Sequence, residues 1–99
     1  MKHFKVIISP YAHNDIEQAM DYYNEQTRGL GKRFLKEVKN TANSINKNPF
    51  FQIRYNDVRC LLVKKFPFMI HYSVNEKNKL IFIHAVIHTS LNPEENWID

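Results

Sequence analysis

The sequence contains very little that could cross-link or anchor a fold. Of its 99 residues only Cys60 is a cysteine, which excludes an internal disulfide and a zinc site built from several thiolates. No apolar run reaches the roughly 18 residues that span a bilayer, and the first residues lack the apolar stretch of a signal peptide. We therefore expect a cytoplasmic protein with no membrane segment and no metal.

The chain is also too short for two domains of ordinary size. This excludes large cofactor-binding folds, and we expect one domain over residues 1–99 without a cofactor. Hydrophobic residues make up 43% and aromatic residues 13% of the chain, which is enough to build a core and argues against disorder.

Charge is unevenly distributed along the chain. Residues 10–27 carry four acidic residues and no base, whereas residues 28–47 carry six bases and one acid. The formal net charge is +4. A basic surface attracts phosphate or an acidic protein, and it is equally compatible with a solvated face that binds nothing.

Hydrophobic periodicity predicts a strand followed by two helices. His3 to Ser9 is rich in β-branched and aromatic residues, and Ser9-Pro10 is typical of a helix start. Apolar residues then recur at three- and four-residue spacing over 10–27 and again from Leu30 to Asn48-Pro49. The only two glycines, Gly29 and Gly31, are predicted to supply the turn between these helices.

From residue 50 the pattern alternates with period two, which predicts strands over 58–65, 68–74 and 79–88. The fold class is thus α+β, with an N-terminal strand, an α-helical hairpin and an antiparallel β-meander. Strict alternation would place two sets of residues on the face toward the helices: Phe68, Ile70, Tyr72 and Val74, and Ile81, Ile83, Ala85 and Ile87. The other face would mix hydrophobic residues with imidazoles: Met69, His71, Leu80, Phe82, His84, Val86 and His88. Such a face needs cover from the C-terminal segment or from a partner.

This element order and several local strings resemble the RelE/ParE superfamily of type II toxins. The strings are VIISPYAHND (6–15), YYNEQTRGLGKRF (22–34) with residues 35–38 after it, Asn48-Pro49, FPFMIHY (66–72) and AVIHTSLNPEENW (85–97). The resemblance points to the ParE-like and plasmid-stabilisation branch. It implies the RelE/ParE-like fold, a growth-inhibiting toxin, a cognate antitoxin that binds it as a hetero-oligomer, and DNA gyrase as the inhibited target.

Two positions depart from the ribonuclease members of the superfamily. Met69 and Leu91 stand where the resemblance leads us to expect arginines. Cleavage by attack of the 2′-hydroxyl needs a base, an acid and a cation that stabilises the charged phosphorane. A metal-independent mRNA endoribonuclease of RelE type, acting on the ribosome, therefore remains an alternative, with replacements for these arginines: His88, Arg59, Lys65 and His71.

Other residues are candidates for contacts with a target or an antitoxin. They are Arg59, Lys64, Lys65, Phe82, His84 and Trp97. Lysines that flank a strand also discourage edge aggregation, and His88 could simply cap its strand. Trp97 could cover the second sheet face or contact the antitoxin. A third hypothesis is an inactive derivative that only binds its antitoxin.

Overall fold

The computed structural model describes residues 4–91, which form a two-layer α+β domain. The elements are β1 (Lys5–Ile8), α1 (Pro10–Gln26), α2 (Leu30–Lys47), β2 (Ile53–Tyr55), β3 (Val58–Leu62), β4 (Phe68–Asn75) and β5 (Leu80–His88). The strand order in the sheet is β1-β5-β4-β3-β2, with β1 parallel to β5 and every other pair antiparallel. The predicted element order is confirmed. The short β2 was not predicted, and β3 ends at Leu62 instead of Lys65.

The start of α1 is tied to the sheet by one serine. Ser9 lies in extended conformation before Pro10, and its hydroxyl oxygen accepts the N–H of Ala12 at 3.0 Å. The same hydroxyl donates to the carbonyl of His84 at 2.9 Å. The N-cap thus satisfies a free helix amide and fixes α1 against β5.

The two glycines act differently. Gly29 has φ 84°, a left-handed conformation in which L side chains are strained, so it makes the turn as predicted. Gly31 is already within α2, where a Cβ atom would lie 2.5 Å from the carbonyl oxygen of Met20. Its role is therefore close approach of the two helices, supported by its N–H bond to Asn24 Oδ1 at 2.9 Å, and not the turn itself.

Both helices pack on one face of the sheet, which we call the helix face. The buried core contains residues of α1, α2, the central strands β4 and β5, and the turn before β4: Ala12, Ile16, Ala19, Phe34, Val38, Ile45, Val63, Ile70, Tyr72, Ile81, Ile83 and Val86. Burial of this apolar surface is the main stabilising contribution to the fold. We call the opposite side of the sheet the second face.

A β-bulge overturns the predicted alternation along β5. His71 pairs with Ala85 but Tyr72 pairs with Ile83, so His84 is the extra residue. Beyond the bulge the faces exchange: Val86 joins the core, whereas Ala85 lies opposite His71 on the second face. The sheet faces predicted for the residues after the bulge were therefore wrong. Ala85 and Ile87 were assigned to the helix face, and Val86 and His88 to the second face, whereas the structure has the reverse.

The bulge is held by a carboxylate. Asp15 of α1 accepts the backbone N–H of Val86 at 3.0 Å, and burial raises the pKa of Asp15, an effect that this hydrogen bond opposes. The raised pKa means that the fold favours the protonated acid. The contribution of Asp15 to stability is thus greatest below the ordinary pKa near 3.8 and falls as pH rises through the folded-state value.

Asp15→Asn should be at least as stable as the parent at pH 7, because the amide oxygen keeps the bond to Val86 without a buried charge. The difference in free energy of unfolding between Asp15→Asn and the parent should shrink as the pH falls toward 4, because Asp15 then becomes protonated. Asp15→Ala leaves the Val86 amide without this acceptor and should cost about 1–3 kcal/mol. Urea unfolding between pH 4 and 8 measures the free energy of unfolding of all three proteins. An alanine variant as stable as the asparagine variant would disprove the stabilising role of the Asp15–Val86 hydrogen bond.

Within residues 4–91, neither helix is long and apolar enough to cross a membrane.

Candidate functional site

The second face of the sheet carries a hydrogen-bonded cluster centred on His71. Its Nδ1 lies 3.0 Å from the Tyr55 hydroxyl and 3.2 Å from Cys60 Sγ. These residues come together because β3 and β4 pair Cys60 with His71, and β2 places Tyr55 beside them. His71 is only 3% exposed, whereas Tyr55 and Cys60 are half-buried around it.

The cluster is uncharged at neutral pH. Burial, with smaller contributions from the charges of Arg54 and His84, lowers the pKa of His71 to about 4. Burial also raises the pKa of the Cys60 thiol, although Arg54 opposes this shift. A thiolate–imidazolium pair, which nucleophilic catalysis by cysteine requires, is therefore disfavoured.

His84 and Ser73 form a second polar pair on this face, with His84 Nε2 2.8 Å from Ser73 Oγ. The bulge brings them together. Burial lowers the pKa of His84, and the charge of Asp57 opposes the shift. His84 is thus also neutral at pH 7. Phe82, the other predicted contact residue on this part of β5, pairs with Ser73 and is half-buried.

Arg59 and His88 do not join these histidines. Arg59 pairs with the core residue Tyr72, which places its side chain on the helix face. There its guanidinium donates to the Phe51 carbonyl at 2.6 Å and lies 5.4 Å from the Phe50 ring centre. This geometry holds the segment after α2 against the sheet.

His88 ends β5 and makes local hydrogen bonds. The Ser90 backbone N–H donates to His88 Nδ1 at 3.1 Å, and the Ser90 hydroxyl lies 2.8 Å from the same atom. The His88 ring also packs edge-on against Phe68, at 5.4 Å between ring centres. Since Phe68 packs on the core, the bulge has turned His88 away from the second face. The strand-capping interpretation of His88 describes this arrangement.

The remaining predicted residues are dispersed. Lys64 and Lys65 are exposed in the turn between β3 and β4, where they line a groove beside α2. Trp97 lies outside the described residues. The structure therefore brings together His71 and His84 with their polar partners, and separates both from Arg59, His88 and the two lysines.

Sequence reasoning missed three members of the second-face cluster, Tyr55, Cys60 and Ser73, as well as the nearby cation Arg54. Tyr55 and Arg54 lie on β2, which is only three residues long and therefore has little alternation to detect. Ser73 meets His84 because of the bulge. Cys60 is a lone cysteine with no partner recognisable in the sequence, and only the pairing of β3 with β4 places it beside His71.

The positions where arginines were expected also lie apart. Met69 pairs with Leu62 and Ile87, on the same face of β4 as His71, so an apolar side chain occupies that part of the second face. Leu91 is exposed after β5, and its backbone N–H donates to the carbonyl of His88 at 3.0 Å.

The fold matches solved toxin structures. A chain of the chromosomal ParDE toxin–antitoxin system from P. aeruginosa superposes with a TM-score of 0.75 at 14% identity, covering 86% of this chain and 95% of that chain. A chain of the RelBE2 toxin–antitoxin complex from Mycobacterium tuberculosis gives a TM-score of 0.64 at 15% identity. The match covers 88% of this chain and 99% of that chain. These identities support the fold alone. A comparison with curated protein sequences finds no match.

The sequence itself also matches a family profile, that of the ParE toxin of the type II toxin–antitoxin system parDE, over residues 6–93. This match runs from β1 through β5, and it agrees with the strings that first suggested the superfamily. The chain therefore belongs to the ParE toxin family of type II toxin–antitoxin systems.

Proposed function

We propose that this ParE-family toxin arrests growth by binding and inhibiting DNA gyrase in the cytoplasm, and that a cognate antitoxin neutralises it in a hetero-oligomer. The observation that carries the choice of a binding inhibitor over a ribonuclease is the neutral, internally bonded state of His71 and His84. Gyrase is the target that the resemblance to ParE toxins suggests.

Cleavage of RNA would need a proton donor, a proton acceptor and a cation around one phosphate. His71 has its Nδ1 between Tyr55 and Cys60, and with a pKa of about 4 it is a neutral imidazole at pH 7, without the imidazolium proton that a general acid would donate. The apolar Met69 lies two residues away on the same face. Loss of one charge-stabilising donor costs catalysis about a hundredfold or more, so this arrangement favours binding over cleavage.

The antitoxin is supported by the family and by the structural neighbours, which come from a ParDE toxin–antitoxin system and a RelBE2 toxin–antitoxin complex. The excess of basic residues over 28–47 gives this chain a positive surface toward an acidic partner. A disordered antitoxin segment that folds on this surface would bury a large area while losing conformational entropy.

Pulse labelling after tightly controlled induction in bacteria tests the target. We expect DNA synthesis to fall within minutes and before protein synthesis, since gyrase inhibition blocks replication first. Purified toxin should also inhibit supercoiling of a relaxed plasmid by purified gyrase. His88→Ala should retain both effects, because His88 bonds locally to Ser90.

An early fall in protein synthesis that is lost in His88→Ala would instead establish the ribonuclease and overturn the proposal. No effect on either synthesis would also overturn it, in favour of an inactive antitoxin-binding protein. Antitoxin binding is tested separately, by the melting temperature of the toxin with and without the purified product of the adjoining gene. An unchanged melting temperature would argue against that product as the antitoxin.

A further inference from the structure

A groove lies between α2 and the outer edge of β3, on the side of the domain away from β1. Its volume is about 610 Å³. We call it the α2–β3 groove, and its lining residues are Glu37, Asn40, Thr41, Ser44, Phe51, Leu61, Leu62, Lys64 and Lys65. Short polar side chains of α2 form one wall, apolar side chains of β3 and the preceding segment form the other, and two lysines stand at one end.

The apolar wall is open to solvent. Leu62, the last residue of β3, is 54% exposed. It pairs with Met69, so it borders the groove from the second-face side of the strand edge. Phe51 and Leu61 are partly buried and pack against the core from the other side. A partner that covered these side chains would remove apolar surface from water, which favours binding.

The lysine end of the groove is positively charged. Lys64 and Lys65 are both exposed, and an adjoining depression of about 330 Å³ adds Arg33 while sharing Lys65 and Glu37. The two adjoining depressions are thus lined by three cations and one carboxylate. This end of the groove is complementary to carboxylate side chains.

The groove also borders an unpaired stretch of strand edge. The ladder between β2 and β3 stops at Arg59, whereas β3 continues to Leu62. Within residues 4–91, Leu61 and Leu62 therefore have a strand neighbour on the β4 side only. An extended peptide can add to such an edge through its backbone while alternate side chains fill pockets.

We propose that the α2–β3 groove binds an extended segment of the antitoxin, in which apolar residues contact Leu61, Leu62 and Phe51 and acidic residues contact Lys64 and Lys65. This inference rests on the proposed function, because it assigns the place and chemistry of the antitoxin contact. An acidic, apolar segment fits the three features of the groove at once: its apolar wall, its basic end and its open edge.

The test measures affinity of the purified toxin for the product of the adjoining gene by calorimetry. Lys64→Glu should weaken binding about tenfold or more, because it places a carboxylate against the acidic segment. Lys77→Glu is the matched control, since Lys77 is an exposed turn lysine at the other end of β4. It should bind like the parent.

Two further variants separate binding from folding. Lys65 has φ 73°, a left-handed conformation that favours glycine, so Lys65→Gly should fold at least as well as the parent while it weakens binding. Leu62→Asn should weaken binding through the apolar wall. Its control is Ile53→Asn, because Ile53 is an exposed strand residue outside the groove.

If the three groove variants bound the antitoxin as tightly as the two controls and the parent, the proposal that the groove binds the antitoxin would be overturned. The proposed function would remain intact. Loss of toxicity in Lys64→Glu with unchanged antitoxin affinity would also overturn it, by showing that the lysines contact the target. A parent that does not bind the adjoining gene product at all would instead remove the proposed partner.

Discussion

Phe34→Ala should destabilise the domain by about 3–5 kcal/mol, which is a large part of the stability of a domain of this size. Phe34 of α2 is fully buried, and its ring centre lies 5.5 Å from that of Tyr23, 5.2 Å from Phe66 and 5.0 Å from Phe68. The substitution would open a cavity where both helices meet the turn before β4 and the start of that strand. Thermal unfolding should show a fall of roughly 15 °C or more.

Tyr11→Ala is the matched control for this substitution. Tyr11 is an aromatic residue of α1 that is 80% exposed, so its removal should change stability by no more than about 0.5 kcal/mol. If Phe34→Ala cost as little as Tyr11→Ala, the aromatic cluster would not be what holds the helices on the sheet.

The helices could be predicted from the sequence because their signals are local. Ser9-Pro10 and Asn48-Pro49 mark the outer ends of the hairpin, and the structure has helices over Pro10–Gln26 and Leu30–Lys47. Helical periodicity repeats four or more times within each segment, so a single irregular residue does not obscure it. Gly31 was misassigned because its close approach to Met20 depends on how two helices meet, which no local pattern encodes.

The sheet was harder to predict because one extra residue in β5 exchanges the faces of all residues after it. The bulge at His84 is specified by groups distant in sequence: Ser9 donates to its carbonyl, and Asp15 accepts the N–H of Val86. Period-two alternation carries no sign of such contacts. The bulge also rearranges the candidate site, since it pairs His84 with Ser73 and leaves His88 on the other face.

The candidate site was predicted in parts. His71, His84 and Phe82 lie on the second face as expected. Arg59 was selected for its charge, but its guanidinium interacts with the Phe50-Phe51 segment. The sequence alone does not distinguish an arginine that binds a ligand from one that stabilises a loop. Lys64 and Lys65 were selected as flanking lysines, and only the packing of α2 beside β3 places them on a groove.

The same segment after α2 is held by a second side chain, that of Tyr72 in β4. It is fully buried on the helix face, and its hydroxyl donates to the Pro49 carbonyl at 2.8 Å. Burial is the main reason that the pKa of Tyr72 is raised to about 12. The hydroxyl is thus part of the core, where it can neither meet a target nor take part in proton transfer at neutral pH.

Tyr72→Phe should therefore cost about 1–3 kcal/mol of stability, because the Pro49 carbonyl loses its donor, while the folded variant should inhibit its target as the parent does. Tyr72→Ala should cost about 3–5 kcal/mol through the cavity it leaves.

The parent should also show a pH dependence that Tyr72→Phe lacks. The pKa of Tyr72 is about 12 in the folded protein and about 10 in the unfolded chain, so its contribution to stability is complete below pH 10 and is lost as pH rises toward 12. Urea unfolding of both proteins from pH 8 to 11 measures the difference between their free energies of unfolding. This difference should narrow as pH increases. A phenylalanine variant of unchanged stability that no longer inhibits growth would contradict the argument, because it would place the hydroxyl at a binding surface and not in the core.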